Sequence, residues 1–253
     1  MNTLFVGQNL IELSEVNSTN TYAINLLREA QIPDGTLIFT QNQTAGRGQM
    51  GNQWQAETGK NLTFSLILHP TFLSAEKQFY LSKITSLAVL ATLTEFLPTS
   101  LYDIKIKWSN DTLVGKKKIS GILIENILRG NTLQSSVIGV GININQKNFA
   151  GLENQATSLS LLLEKDFNVK EILSKFCEHF EAFYLLLKQN NFQKITEQYL
   201  QKLHLFNEYG MYRANEKIFS AKIIDVEENG LLVLSTTENQ ILKFNFKEVQ
   251  LVQ

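Results

Sequence analysis

Four short stretches of this 253-residue chain carry residue types suited to chemistry on an anionic ligand. In the first, Gly46-Arg47-Gly48-Gln49-Met50-Gly51 follows a strand and obeys the pattern G-x-G-x-x-G. A dinucleotide-binding unit needs a crossover helix next, and too few residues separate Gly51 from Gly59 and the following strand. A protein-kinase loop would need H-R-D and D-F-G segments downstream; neither is present, and there is no Walker A pattern. What remains is a run of backbone N–H donors around one arginine, bordered by Thr44 and Trp54. It either wraps an anion, with Arg47 as a planar fork for phosphate oxygens, or lies in solvent as a plain surface loop.

The second stretch pairs Lys107-Trp108-Ser109-Asn110-Asp111 with Lys118-Ile119-Ser120-Gly121. An ammonium, an amide and a carboxylate at a strand end, followed by a hairpin that returns Lys118, can converge on one pocket. Lys116 and Lys117 make a solvated charge run the alternative, although an apolar strand begins directly after Lys118. The third, Gly139-Val140-Gly141-Ile142-Asn143-Ile144-Asn145, puts two glycines in an apolar strand. That weakens a strand unless something approaches its backbone closely. A flat ligand would satisfy it, and so would a bulge or tight packing. The fourth, Ser18-Thr19-Asn20, is either a helix cap or a display of hydroxyls and an amide at a positive helix end.

The elements that must position these groups follow from periodicity. Residues 14–30 read as an amphipathic helix with Ala23, Leu26, Leu27 and Ala30 on one face, and Leu37–Phe39 as a short strand after the turn Pro33-Asp34-Gly35. Leu62, Phe64, Leu66 and Leu68 alternate toward one face of the next strand. A helix over 76–96, a strand over 104–108, a hairpin connection over 110–117 and strands over 119–125 and 136–144 come next. Helices over 168–190 and 192–203 follow. Beyond His204 the pattern changes to short alternating strands, with Asn229-Gly230 as a type I′ hairpin signal. The expected fold is a mixed α/β (α+β) domain over 1–205 and a small β domain over 206–253.

Composition bounds the rest. Net charge is −1, with 43% apolar residues, so a disordered chain and a dedicated nucleic-acid binder are both disfavoured. Arginines number 4 against 19 lysines, so a phosphate site has few guanidinium groups to draw on. One cysteine, Cys177, excludes an internal disulfide and a cysteine zinc site. The histidines at 69, 179 and 204 are too scattered for a metal cluster; all four side chains read as structural, and no resident metal site is expected. No secretory signal or membrane-length apolar run is visible, which points to a cytoplasmic protein.

Taken in order, the four stretches resemble the biotin–protein ligase family. The similarity spans about residues 12–160, through Ser18-Thr19-Asn20, the Thr44-to-Trp54 loop, Lys107-Trp108-x-Asn110-Asp111, Lys118-Ile119-x-Gly121-Ile122-Leu123-x-Glu125 and Gly139-x-Gly141-x-Asn143. The resemblance implies a mixed-sheet catalytic domain related to class II aminoacyl-tRNA synthetases, then an SH3-like β domain. It also implies a monofunctional type lacking the N-terminal DNA-binding domain, and so no DNA partner. Biotin and ATP would form biotinoyl-5′-AMP, and a lysine of a biotin carboxyl carrier protein would then take the acyl group. Mg²⁺ is expected with the ATP phosphates.

By the same resemblance Arg47, Lys118 and Asp111 are the catalytic candidates, and Arg47 and Lys118 hold the α-phosphate and biotin carboxyl region. Each such charge-assisted contact is worth roughly 1.5–3 kcal/mol. Ser18, Thr19, Asn20, Gln43, Gly48, Gln49, Lys118, Gly121 and Gly141 fall to biotin; the ring's polar edge would meet Thr19, Asn20 and Gln43. Arg47, Trp54, Asn110, Asp111 and Asn143 fall to the nucleotide. Three features depart from the family pattern. Gln49 and Asn52 stand where arginines commonly occur, Ser109 replaces the usual proline, and the chain ends Leu251-Val252-Gln253 without the arginine that some members place there. Lys243 and Lys247 are possible replacements. The uncharged Gln49 predicts looser retention of the acyl-adenylate. With Met50 and Trp54 as its apolar anchors, the Thr44–Trp54 loop is expected to be mobile until ligand closes it, since ordering costs about 1–2 kcal/mol per residue. The rival readings are a lipoate– or octanoate–protein ligase and a non-catalytic biotin-binding module.

Overall fold

The structure is a computed structural model that describes residues 1–252; Gln253, at the C-terminal departure noted above, lies outside them. Strands β1 (Leu10–Leu13), β2 (Thr36–Thr40), β3 (Leu62–Leu68), β4 (Ile104–Lys107), β5 (Asp111–Val114), β6 (Lys117–Arg129) and β7 (Thr132–Ile142) form one sheet in the order β1-β2-β3-β7-β6-β5-β4. Only β1 and β2 run parallel, because helix α1 (Thr19–Glu29) supplies the crossover between them; the other pairs are antiparallel. Helix α1 covers one face of the sheet, packing Ala23 on Ile38, Ile67 and Val137. Helices α2 (Phe79–Phe96) and α4 (Val169–Lys188) cover the other, where Phe64, Leu66, Ile84, Leu87, Phe176 and Phe180 form the main core. Burying each large apolar side chain there contributes about 1.5–3 kcal/mol.

The face covered by α1 is open beyond that helix, and small residues line it. Thr63 and Ser65 of β3 lie beside Gly141 and Gly139 of β7, and Gly121 of β6 lies beside Gly141. Strand β3 therefore buries all seven of its residues rather than one alternating set: its leucines go into the core and its hydroxyls toward the open face.

A short helix α3 (Leu159–Leu163) and helix α5 (Phe192–Lys202) lead to a second, antiparallel sheet. Its strands are β8 (Tyr209–Ala214), β9 (Lys217–Val226), β10 (Leu232–Thr236), β11 (Ile241–Phe244) and β12 (Gln250–Leu251), in the order β11-β10-β9-β8-β12. None of the helices is long and apolar enough to cross a membrane, among the described residues.

Several sequence expectations are corrected. Helix α1 starts at Thr19, not near 14, because Ser18 is extended and its hydroxyl caps Thr21 N. Strand β1 occupies residues just before that expected helix, to which no element was assigned. The segment 110–117 contains strand β5, and the connection shrinks to the turn at Gly115-Lys116. The Asn229-Gly230 turn is not type I′. Gly230 has φ 95° and Asn229 is not among the residues with positive φ; the Gly230 N–H donates to Glu227 O at 3.0 Å. That is a type I turn closed by a left-handed glycine.

Candidate active site

A cavity of about 650 Å³ opens on the small-residue face, between the first sheet, the Gln41–Lys60 segment and the second sheet. Ser18, Thr19, Asn20, Gln43, Arg47, Gly48, Gln49, Trp54, Asn110, Asp111, Lys118, Gly121 and Gly141 all line it. Every sequence candidate is therefore brought to one place except Asn143. That residue is 4% exposed, donates its amide to Thr157 O at 3.0 Å and does not line the cavity.

One end is a neutral polar cluster at the start of α1. Gln43 Oε1 accepts from Thr19 N at 2.8 Å and from the Thr19 hydroxyl at 3.1 Å. Ser65 donates to Asn20 Oδ1 at 2.6 Å, and its oxygen lies 2.8 Å from the Thr19 hydroxyl. Asn20 Nδ2 donates to Leu123 O at 3.2 Å and to Glu125 Oε2 at 2.9 Å. A Cβ at Gly139 would run into the Asn20 carboxamide, which explains that glycine. This network offers a heterocycle both donors and acceptors.

The middle carries the two cations. Lys118 Nζ lies 2.7 Å from Asp111 Oδ1, at an angle that leaves that buried oxygen without a hydrogen bond. Arg47 grips Glu125 with two bonds, Nη2 to Oε1 at 2.7 Å and Nη1 to Oε2 at 3.2 Å, and Nη1 also reaches the Thr21 hydroxyl at 3.3 Å. Glu125 stands in the sequence motif but was given no role there. The flat group lying on Gly121 and Gly141 is the indole of Trp54. A Cβ at Gly141 would collide with it, and one at Gly121 would come within 3.3 Å. Lys118 Nζ sits 5.8 Å from the centre of that ring, within cation–π range. The indole Nε1 is buried and has no partner.

The loop itself is tied down by polar contacts. Gln49 Oε1 accepts from Ser109 Oγ at 3.1 Å, so two departures from the family pattern touch each other. Ser109 is 5% exposed and follows a cis peptide bond. Met50 is 66% exposed and anchors nothing, contrary to expectation. Asn110 donates its amide to Ile122 O at 2.9 Å.

The far wall comes from the second sheet and the segment before it, through His204, Tyr212, Phe246, Lys247 and Val249. Sequence reasoning missed this wall, because alternation in a strand does not say which face another sheet covers. Phe246 meets Trp108 edge-on at 6.0 Å. Burial pushes the Tyr212 hydroxyl up to about 12, and that hydroxyl is unpartnered. Of the two lysines considered as replacements for a terminal arginine, Lys247 lines the cavity, whereas Lys243 pairs with Glu227 at 2.5 Å and does not. His204, read as structural, also lines the cavity; burial, then the Lys107 charge, lowers its pKa. Cys177 is fully buried, and desolvation raises its thiol to about 12.

Buried polar atoms normally have partners, and two that have none, Trp54 Nε1 and the Tyr212 hydroxyl, belong to residues that line this cavity. A mixed sheet with a small-residue floor, two cations from separate elements and a wall from a second sheet defines a binding cavity for an elongated anionic ligand. The particular family follows from comparison. Residues 13–143 match the biotin/lipoate A/B protein ligase family. The bifunctional ligase/repressor BirA of Bacillus spizizenii is 31% identical over 248 residues, covering 94% of this chain and 73% of that protein. The biotin–[acetyl-CoA-carboxylase] ligase of Mycobacterium tuberculosis is 28% identical over 134 residues, 53% of this chain and 48% of that protein. Among solved structures, the biotin protein ligase of Aquifex aeolicus in complex with biotin and ATP superposes with a TM-score of 0.79 at 28% identity, covering 97% of this chain and 99% of that one. This chain belongs to the biotin/lipoate A/B protein ligase family.

Proposed function

We propose that the chain is an ATP-dependent, AMP-forming biotin–protein ligase. The observation that carries this reading is one cavity that collects a donor–acceptor network, two cations and a far wall from the second sheet. It is supported by a relative named as a biotin ligase and by a structural neighbour solved in complex with biotin and ATP. In the first step a carboxylate oxygen of biotin attacks the α-phosphorus of ATP, and pyrophosphate leaves. In the second a neutral lysine amine attacks the acyl carbon, AMP leaves, and the amine gives up a proton. Negative charge concentrates on the α-phosphate in both steps, so preorganised Arg47 and Lys118 lower both barriers. Thr19, Asn20 and Gln43 orient the ureido ring.

Mg²⁺ would arrive with the ATP phosphates. Among the described residues no group of three or more His, Cys, Asp or Glu side chains is arranged to hold a metal alone. Asp111, which lines the cavity beside Lys118, would supply one carboxylate, which suits Mg²⁺ held mainly by phosphates and water. The second substrate in this reading is a biotin carboxyl carrier protein of a biotin-dependent carboxylase, and the compartment is the cytoplasm, where Cys177 stays reduced. The test is to incubate the protein with Mg-ATP, a carrier-domain fragment and either biotin or lipoate, and to weigh the carrier. A biotin-sized mass gain on one lysine is expected. A lipoate-sized gain, or no gain, overturns the reading.

A further inference from the structure

Arg47 reaches the cavity from a loop, yet its guanidinium is not loose. Arginine has five N–H donors. Three are used: the two that face Glu125, and the outer Nη1 hydrogen, which points to Thr21. The two left over, on Nε and the outer side of Nη2, lie on one edge and form a side-on fork. Glu125 thus consumes the end-on edge and leaves free the edge suited to two phosphate or carboxylate oxygens.

The same carboxylate acts on a second element. Its Oε2 also accepts from Asn20 Nδ2, which fixes the orientation of that carboxamide and turns Asn20 Oδ1 toward Ser65. Glu125 lies on β6, where that long strand pairs with β7, Glu125 standing beside Val137. It is a point on the sheet to which both the loop arginine and the start of α1 are tied.

We infer that Glu125 is a positioning residue for the ligase reaction: it aims the free fork of Arg47 at the acyl-phosphate and registers it against the Asn20 end of the cavity. The inference rests on the proposed function, and its test separates the two. Biotin-dependent exchange of pyrophosphate into ATP is measured for the full chain, for Glu125→Gln, for Arg47→Met and for the double variant. Glu125→Gln keeps the shape and removes the charge that grips the guanidinium. Its kcat is expected to fall about fivefold, within the loss from removing Arg47 itself, with a melting temperature close to that of the parent. In the Arg47→Met background the same change is expected to cost less than about twofold, because Glu125 then has no fork to aim. A purely structural role would give the same fold-loss in both backgrounds, and that result overturns the inference. Glu125→Asp, which keeps the charge but shortens the reach, should fall between parent and Glu125→Gln; activity below that of Glu125→Gln also overturns it. If the parent itself shows no biotin-dependent exchange, the functional reading fails and this inference with it.

Discussion

Arg47 and Lys118 line the same cavity, each with a carboxylate beside it, but they are held in unlike ways. Lys118 and Asp111 stand on adjacent antiparallel strands joined by a two-residue turn. The backbone of Lys118 is clamped as well, its N–H to Gln155 O at 2.7 Å and its carbonyl to Thr157 N at 2.9 Å. The backbone around Arg47 bonds within its own loop, through the Arg47–Gln53 bridge and Gly48 N to Asn52 O at 2.7 Å, and the loop's start is held where Thr44 N and Ala45 N donate to Val16 O and Asn17 O at 3.0 and 2.8 Å. Arg47 itself meets the sheet through its side chain, at Glu125. One cation is placed by sheet register, the other by a salt bridge across 78 residues of chain. The first is a fixed electrode and the second an adjustable one, which suits a site that must admit its substrates and then retain a reactive intermediate.

The largest expected effect follows from the fixed cation. Lys118→Ala should lower the rate of adenylate formation about 100-fold, the upper end of one charge-assisted contact. Arg47→Ala should cost about tenfold, because a movable loop can rearrange around the loss. Equal losses in single-turnover kinetics would erase the distinction between the two.

A third cation sharpens the contrast, since Lys83 is 1% exposed and has no carboxylate in contact. Its ammonium donates to Val226 O at 2.8 Å and lies 4.9 Å from the Tyr80 ring centre. Burial lowers its pKa to about 8, against the attraction of Asp225 and Glu228. The unfolded chain therefore binds more protons than the native one between about pH 8 and the ordinary lysine value, and stability rises with pH across that window. Relative to Lys83→Met, the parent should gain about 2 kcal/mol of unfolding free energy from pH 7 to pH 9.5 in denaturant titrations. A flat difference would mean that Lys83 titrates normally.

Smaller effects probe the loop itself. Gln49→Arg restores a charge but gives up the bond to Ser109. It should slow release of biotinoyl-AMP several-fold, and equal release rates in a filter-retention assay would contradict that. Amide exchange across 44–54 should slow several-fold with biotin and ATP bound, while amides at 117–121 change little. A uniform change across both segments would break the comparison.

The same contrast explains what was legible in the sequence. The Lys107–Gly121 region was readable because its partners are neighbours in the chain, and the glycine pair in β7 signalled a close approach. The identity of the approaching group was not readable: Trp54 is remote in sequence, and it is its indole that lies on Gly121 and Gly141. Glu125 as the partner of Arg47, and Tyr212 and Phe246 as a cavity wall, depend on how separate elements are set against one another. Local periodicity carries no such information. Asn143 lies outside the cavity wall for the related reason that an asparagine at a strand end serves a ligand and a neighbouring carbonyl equally well on paper, and here its amide meets Thr157 O.

The central claim is that both cations act on one acyl-phosphate. Calorimetric titration of a non-hydrolysable biotinyl-adenylate analogue into the parent, Arg47→Ala and Lys118→Ala proteins tests it most directly. Each substitution should weaken binding about tenfold or more; unchanged affinity in either variant would contradict it.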